Sequence, residues 1–202
     1  MRLVLATKNK GKLEELKSMF SNQDIEIVSM DKYPDIPDVI EDGKTFLENA
    51  RKKSREVCSS TGEFVLADDS GLVVAALGGE PGVHSARFAG KQGDYAANNK
   101  KLLDVMKDVP DGKRQAVFVC TMVLASPDGR EWVTEERCEG AITRNPSGNG
   151  GFGYDPLFFV SVEGVTMAEL PMDRKNVISH RGKALRKMQK ILVEIFSKKG
   201  HP

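Results

Sequence analysis

The 202-residue sequence predicts an α/β fold, a mixed β-sheet flanked by helices in two lobes with a central cleft. Three observations predict it. Near the N-terminus, short apolar runs give way to helical periodicity, as in βα units. A long pair of β-branched and apolar runs, joined by a turn signal, occupies the middle of the chain. A clean amphipathic helix closes it. No repeat, low-complexity tract or linker interrupts the chain, so residues 1–202 read as one domain of two lobes.

The elements follow in order. Leu3, Val4, Leu5 and Ala6 form a first buried strand. Residues 7–12 make a polar turn. Leu13, Leu16, Met19 and Phe20 then recur at helical spacing. Residues 25–28 are a second strand, and the acidic, two-proline stretch 31–43 is a loop. Thr45 caps the next helix with Glu48 as capping-box partner, and Phe46, Leu47, Ala50, Ser54, Val57 and Cys58 face inward. Residues 64–67 and 72–77 read as strands on either side of an acidic turn. Residues 78–93 form a glycine-rich loop. Residues 99–107 are helical, with Leu102, Leu103 and Met106 inward. Residues 115–125 and 131–142 are long strands joined by the Pro127, Asp128, Gly129 turn. Residues 145–153 are loop, 157–160 a short strand and 166–170 a brief helix. Ala184, Leu185, Met188, Ile191, Leu192, Ile195 and Phe196 line the last helix, and Lys175 and residues 179–182 precede it.

Composition narrows the function. With 30 basic and 29 acidic residues the net charge is +1, so no global field draws in nucleic acid or a membrane surface. Any anion site must be local. Residues 1–7 turn polar too soon for a signal peptide, and no apolar run approaches the roughly 20 residues of a membrane helix. Cys58, Cys120 and Cys138 fit neither a zinc pattern nor a disulfide framework and point to a reducing cytoplasmic setting. His84, His180 and His201 show no metal spacing.

The chemistry concentrates in four segments. Asp68 and Asp69 end an apolar run and are followed by Ser70 and Gly71. They read either as a solvated strand end or as a cation site, where Mg²⁺ suits hard oxygen ligands and brings a phosphate with it. Glu41 is a further oxygen ligand or an ordinary loop acid. Thr7, Lys8, Asn9, Lys10, Gly11 and Lys12 place three ammonium groups at a strand-to-helix turn, where free amides and the helix dipole favour phosphate. Gly150, Gly151, Phe152, Gly153, Tyr154 and Asp155 let backbone approach a flat ring on which Phe152 stacks; the alternative is a turn with its aromatics in the core. Lys175, His180 and Arg181 offer donors to a carbonyl-bearing base or a phosphate.

Taken in order, these segments resemble the inosine triphosphate pyrophosphatase family from end to end. The residues that carry the likeness are 5–12, Thr45 to Ala50, 67–72, 81–87, 150–156 and 178–182. Each motif is weak alone, and six in sequence are specific. Position 84 departs in carrying His where bacterial relatives often have Tyr. The resemblance implies an elongated two-lobed fold and a homodimer. It also implies a Mg²⁺-dependent cleavage of ITP, dITP and XTP to monophosphate and pyrophosphate. By that likeness Thr7 to Lys12 hold the triphosphate and Asp69 is the base. Ser70, Phe152, Gly153, Tyr154, Asp155, Lys175, His180 and Arg181 bind the nucleotide, and Glu41 and Asp69 hold the metal with Asp68 close by. A pyrophosphatase for modified pyrimidine nucleotides is a related reading. A nucleic-acid-binding module is disfavoured by the neutral charge and by only nine Phe, three Tyr and one Trp.

Overall fold

The computed structural model describes residues 2–20 and 25–197, without the side chains of Phe196 and Ser197. His201 and the inward role of Phe196 therefore lie outside the described residues. Seven strands form one mixed sheet in the order β2-β1-β3-β4-β5-β6-β7. β1 (Arg2–Leu5) pairs in parallel with β2 (Glu26–Ser29) and β3 (Phe64–Val74). β4 (Gln115–Ala125) and β5 (Glu131–Ile142) match the sequence reading at every boundary. β6 (Phe158–Val160) pairs antiparallel with β5 and with β7 (Val165–Thr166). The helices are α1 (Lys10–Phe20), α2 (Phe46–Thr61), α3 (Tyr95–Val105), α4 (Met172–Ile178) and α5 (His180–Ser197).

The chain divides into two compact units. The first holds the chain through Asp69, Cys120–Glu136 and the chain from Arg181; the second holds Ser70–Val119 and Arg137–His180. In the first unit, successive residues of β1 and β3 point to opposite faces, as pleated strands require. Leu3, Leu5, Phe64 and Leu66 pack with Leu16 and Phe20 of α1 and with Ala184, Leu185, Met188 and Leu192 of α5. Val4, Ala6, Val65 and Ala67 pack with Val57 and Cys58 of α2 on the other face. Burial on both faces is why these parallel strands read as unbroken apolar runs. In the second unit Leu72, Val74, Leu102, Met106, Phe118, Leu157 and Phe158 form the core.

Several expectations are corrected by local chemistry. The Asn9 side chain accepts from the Lys12 N–H at 3.2 Å and its carbonyl from the Leu13 N–H at 2.9 Å. That cap starts α1 at Lys10, so Lys10, Gly11 and Lys12 form its first turn and do not precede it. α2 has the expected Thr45–Glu48 capping box, but Asn49 is buried where Phe46 and Leu47 are only half-buried. β3 is a single strand of 11 residues, not two strands around an acidic turn. α3 begins after the Asp94 cap, before residue 99. Residues 166–170 are the end of β7 and a 3₁₀ turn, Met167–Glu169. α4 carries Lys175, and α5 already starts at His180, so neither group precedes the helices. All three cysteines are buried free thiols. Among the described residues no helix is long and apolar enough to cross a membrane.

Candidate active site

Asp68 and Asp69 sit inside β3, 3% and 6% exposed. Strand alternation sends them to opposite faces. Asp68 follows Phe64 and Leu66 towards α1 and α5; Asp69 follows Val65 and Ala67 towards α2. They are therefore not a carboxylate pair closed around one ion. Charges remain inside a strand because each acid finds its own partners.

Asp68 lies in a buried four-charge cluster within the first unit. Its Oδ2 is 2.9 Å from Lys12 Nζ and 3.5 Å from Arg181 Nε. Arg181 Nη1 donates to Glu15 Oε2 at 2.6 Å. Two acids and two bases balance. Burial alone would raise the Asp68 pKa, but the Lys12 ammonium and Arg181 guanidinium outweigh it and hold the carboxyl well below the usual range. Burial opposes the charge on Lys12 and on Arg181 too, and the facing carboxylates keep both above their ordinary values. Glu15 escaped the sequence reading; its one signal is that it lies a helical turn beyond Lys12.

Asp69 has different surroundings. Its Oδ2 accepts from Asn49 Nδ2 at 2.9 Å. Burial pushes its pKa up and Glu41 adds to the rise, against the fields of Lys12 and Lys53 and the Asn49 hydrogen bond. Glu41 is ion-paired with Lys53. Lys53 also escaped the sequence reading, although it stands one turn after Asn49 on α2. Among the described residues no three His, Cys, Asp or Glu side chains gather as a metal cage. Glu41 and Asp69 nevertheless feel each other's charge. Lys53 already supplies positive charge to both, and two carboxylates are the hard oxygen donors that Mg²⁺-type ions take.

The remaining N-terminal candidates lie on the same unit. Thr7 Oγ1 accepts from the Asn9 N–H at 3.2 Å, which shapes the turn into α1. Lys8 is exposed and paired with Asp38 at 2.5 Å, and Lys10 is exposed. The amides of Lys10 and Gly11 belong to the first turn of α1, where backbone N–H groups have no partner within the helix.

In the second unit, Asp155 Oδ2 accepts from the Phe152 N–H at 2.8 Å and from Lys175 Nζ at 2.7 Å. Both charged groups are buried. Lys175 Nζ also stands 5.1 Å from the Phe152 ring centroid, and Tyr95 lies tilted 6.0 Å from that ring. Gly151 has φ 72° and a Cβ there would run into Asp155 Oδ2, so the turn requires glycine. Asn99 donates to the Gly153 carbonyl at 2.9 Å and ties this loop to α3. The structure brings Phe152, Gly153, Asp155 and Lys175 together. It places Tyr154 in the core, with its hydroxyl donating to the Ser85 carbonyl at 2.9 Å. His180 stacks flat on Phe118, centroids 4.8 Å apart, and Ser70 is half-buried in β3.

A family model described as the Ham1 family matches residues 3–191. A protein called dITP/XTP pyrophosphatase from Geobacter sulfurreducens is 52% identical over 91% of this chain and 92% of its own length. One of the same name from Desulforamulus reducens is 51% identical over 97% of this chain and 98% of its own. Among solved structures, a HAM1 protein from Coxiella burnetii has a TM-score of 0.87 at 39% identity, covering 96% of this chain and 99% of its own. A nucleoside-triphosphatase, dITP/XTP pyrophosphatase, from Mycobacterium abscessus has a TM-score of 0.76 at 42% identity, covering 95% of this chain and all of its own.

Proposed function

Because the chain belongs to the Ham1 family, we propose that it hydrolyses non-standard purine nucleoside triphosphates (dITP, ITP and XTP) to the monophosphate and pyrophosphate. The observation that carries the mechanism is the contrast between two adjacent aspartates. Asp68 is closed into an ion-paired cluster with Lys12 and Arg181, whereas Asp69 accepts from the neutral amide of Asn49. A carboxylate whose hydrogen-bond donor is a neutral amide stays more basic than one closed into ion pairs, which suits Asp69 to accept a proton.

Glu41 and Asp69 are the residues that would hold Mg²⁺, whose contribution is to neutralise triphosphate charge and acidify a bound water. The chain's own residues do the rest. Asp69 orients the attacking water and takes its proton as the water oxygen bonds to the α-phosphorus. The α–β bridging oxygen leaves with pyrophosphate. Lys12, with Lys8, Lys10 and the first amides of α1, holds the phosphate tail; Thr7, Asn9 and Gly11 set the shape of that turn. Phe152 stacks on the base and the Asp155–Lys175 pair fixes its loop, with Gly153 allowing close approach, while Ser70 offers its hydroxyl to a phosphate oxygen. Tyr154 supports that loop from the core. His180 and Arg181 supply donors to a 6-oxo group. The enzyme works as a homodimer in the cytoplasm, a compartment supported by the three buried free thiols.

Adenine carries a 6-amino donor, so binding ATP leaves those donors unpaired at a cost of about 1–3 kcal/mol, roughly 5- to 150-fold in rate. Steady-state kcat/KM for dITP, XTP, GTP and ATP with Mg²⁺ tests the reading. We expect dITP and XTP to yield monophosphate and pyrophosphate and to outpace ATP by that margin. Equal cleavage of ATP and dITP contradicts the donor argument, and no cleavage of dITP contradicts the function.

A further inference from the structure

Asn49 is 1% exposed, inside the first turn of α2. A buried amide is costly unless both ends are matched. Its Oδ1 accepts from the Gly43 N–H at 2.7 Å, and its Nδ2 donates to Asp69 Oδ2 at 2.9 Å. The helix start is itself folded back on this point: Glu48 Oε2 accepts from the Lys44 N–H at 2.6 Å and the Thr45 N–H at 3.2 Å. Gly43 stands two residues after Glu41. A Cβ at Gly43 would lie 2.7 Å from Asn49 Oδ1 and 2.7 Å from Glu48 Cβ. Glycine is needed there for space, since its backbone is not left-handed.

We propose that Asn49 is a positioning residue for the reaction: one side-chain amide fastens the end of the Glu41 loop at Gly43 to the Asp69 carboxylate. This rests on the reading of Asp69 as the proton acceptor. The amide fixes the rotation of the carboxylate and, through Gly43, the approach of Glu41 to it. The donor end closes on the carboxylate that the mechanism uses, so one side chain ties the Glu41 loop and Asp69 together.

Asn49→Asp removes the donor to Asp69 and keeps an acceptor for the Gly43 N–H, but it sets another carboxylate against Asp69. Asn49→Ala, which adds no charge, is therefore measured beside it and must show the same kcat loss. Kinetics on dITP at saturating Mg²⁺ and thermal melting are measured together, with Asp69→Asn alongside. We expect kcat to fall about 10- to 100-fold, the range for lost supporting hydrogen bonds, with KM within about twofold of wild type. The melting temperature should move far too little to account for that loss. Gly43→Ala leaves Glu41, Asn49 and Asp69 in place yet pushes on the amide, and should show the same kcat-selective loss. If Asn49→Asp does not fold, Gly43→Ala and Asn49→Ala carry the test. Wild-type kcat in the folded variants, or losses that only track the unfolded fraction, overturn the proposal. If Asp69→Asn keeps wild-type kcat, the reading of Asp69 fails and this inference with it. If Asp69→Asn is inactive while the Asn49 and Gly43 variants are normal, the positioning role alone fails.

Discussion

Asp68 and Asp69 are covalent neighbours with opposite fates, and strand alternation is the cause. One faces α1 and α5 and meets Lys12 and Arg181; the other faces α2 and meets Asn49. Tyr154 shows a third way to bury a polar group: one hydrogen bond to Ser85 and no charge. Burial pushes its phenol well above the ordinary value, so folding favours the neutral form. Its contribution is fully present below the unfolded tyrosine pKa of about 10 and is lost as pH rises towards the folded value. Urea midpoints at about pH 8 and about pH 11 should therefore fall more steeply for wild type than for Tyr154→Phe. Equal slopes would contradict that burial argument. The acids themselves were legible in the sequence, because charges ending an apolar run stand out. Their surroundings were not. Two aspartates resemble a turn signal until Lys12, Asn49 and Arg181, all distant along the chain, supply the pairing that keeps them inside a strand.

At the scale of elements, legibility followed length and pattern. β4 and β5 carry long β-branched runs around Pro127, Asp128 and Gly129, and they begin and end where the sequence predicts. The α2 start was legible because a capping box is a local code. β7 has two residues and α4 seven, too few for any period to emerge. Nor does any pattern announce Arg114. This buried guanidinium donates to the carbonyls of Met106, Val109, Ile142 and Thr143, joining the end of α3 to the end of β5. Lysine cannot reproduce that planar fork. Arg114→Lys should lose about 2–4 kcal/mol in a urea unfolding series, from several forfeited hydrogen bonds. A loss below about 0.5 kcal/mol would show that the fork does not hold these ends together.

Over the whole molecule, near-neutral charge means that anion binding must come from local groups, and the structure concentrates them. The first unit gathers Lys12, Lys53, Glu41, Asp68 and Asp69, which suits the phosphates and their cation. The second builds an aromatic loop over a buried Asp155–Lys175 pair, which suits a base. Motif order along the entire chain made the family legible, while the roles of Glu15, Asn49 and Lys53 emerged only from three-dimensional pairing. The central claim is that water attacks the α-phosphorus and pyrophosphate leaves. Turnover of dITP in ¹⁸O-water, with mass spectrometry of both products, tests it most directly. The account expects the label in the monophosphate and none in pyrophosphate. Label in pyrophosphate, or in free phosphate alongside dIDP, would place the attack on another phosphorus and contradict it.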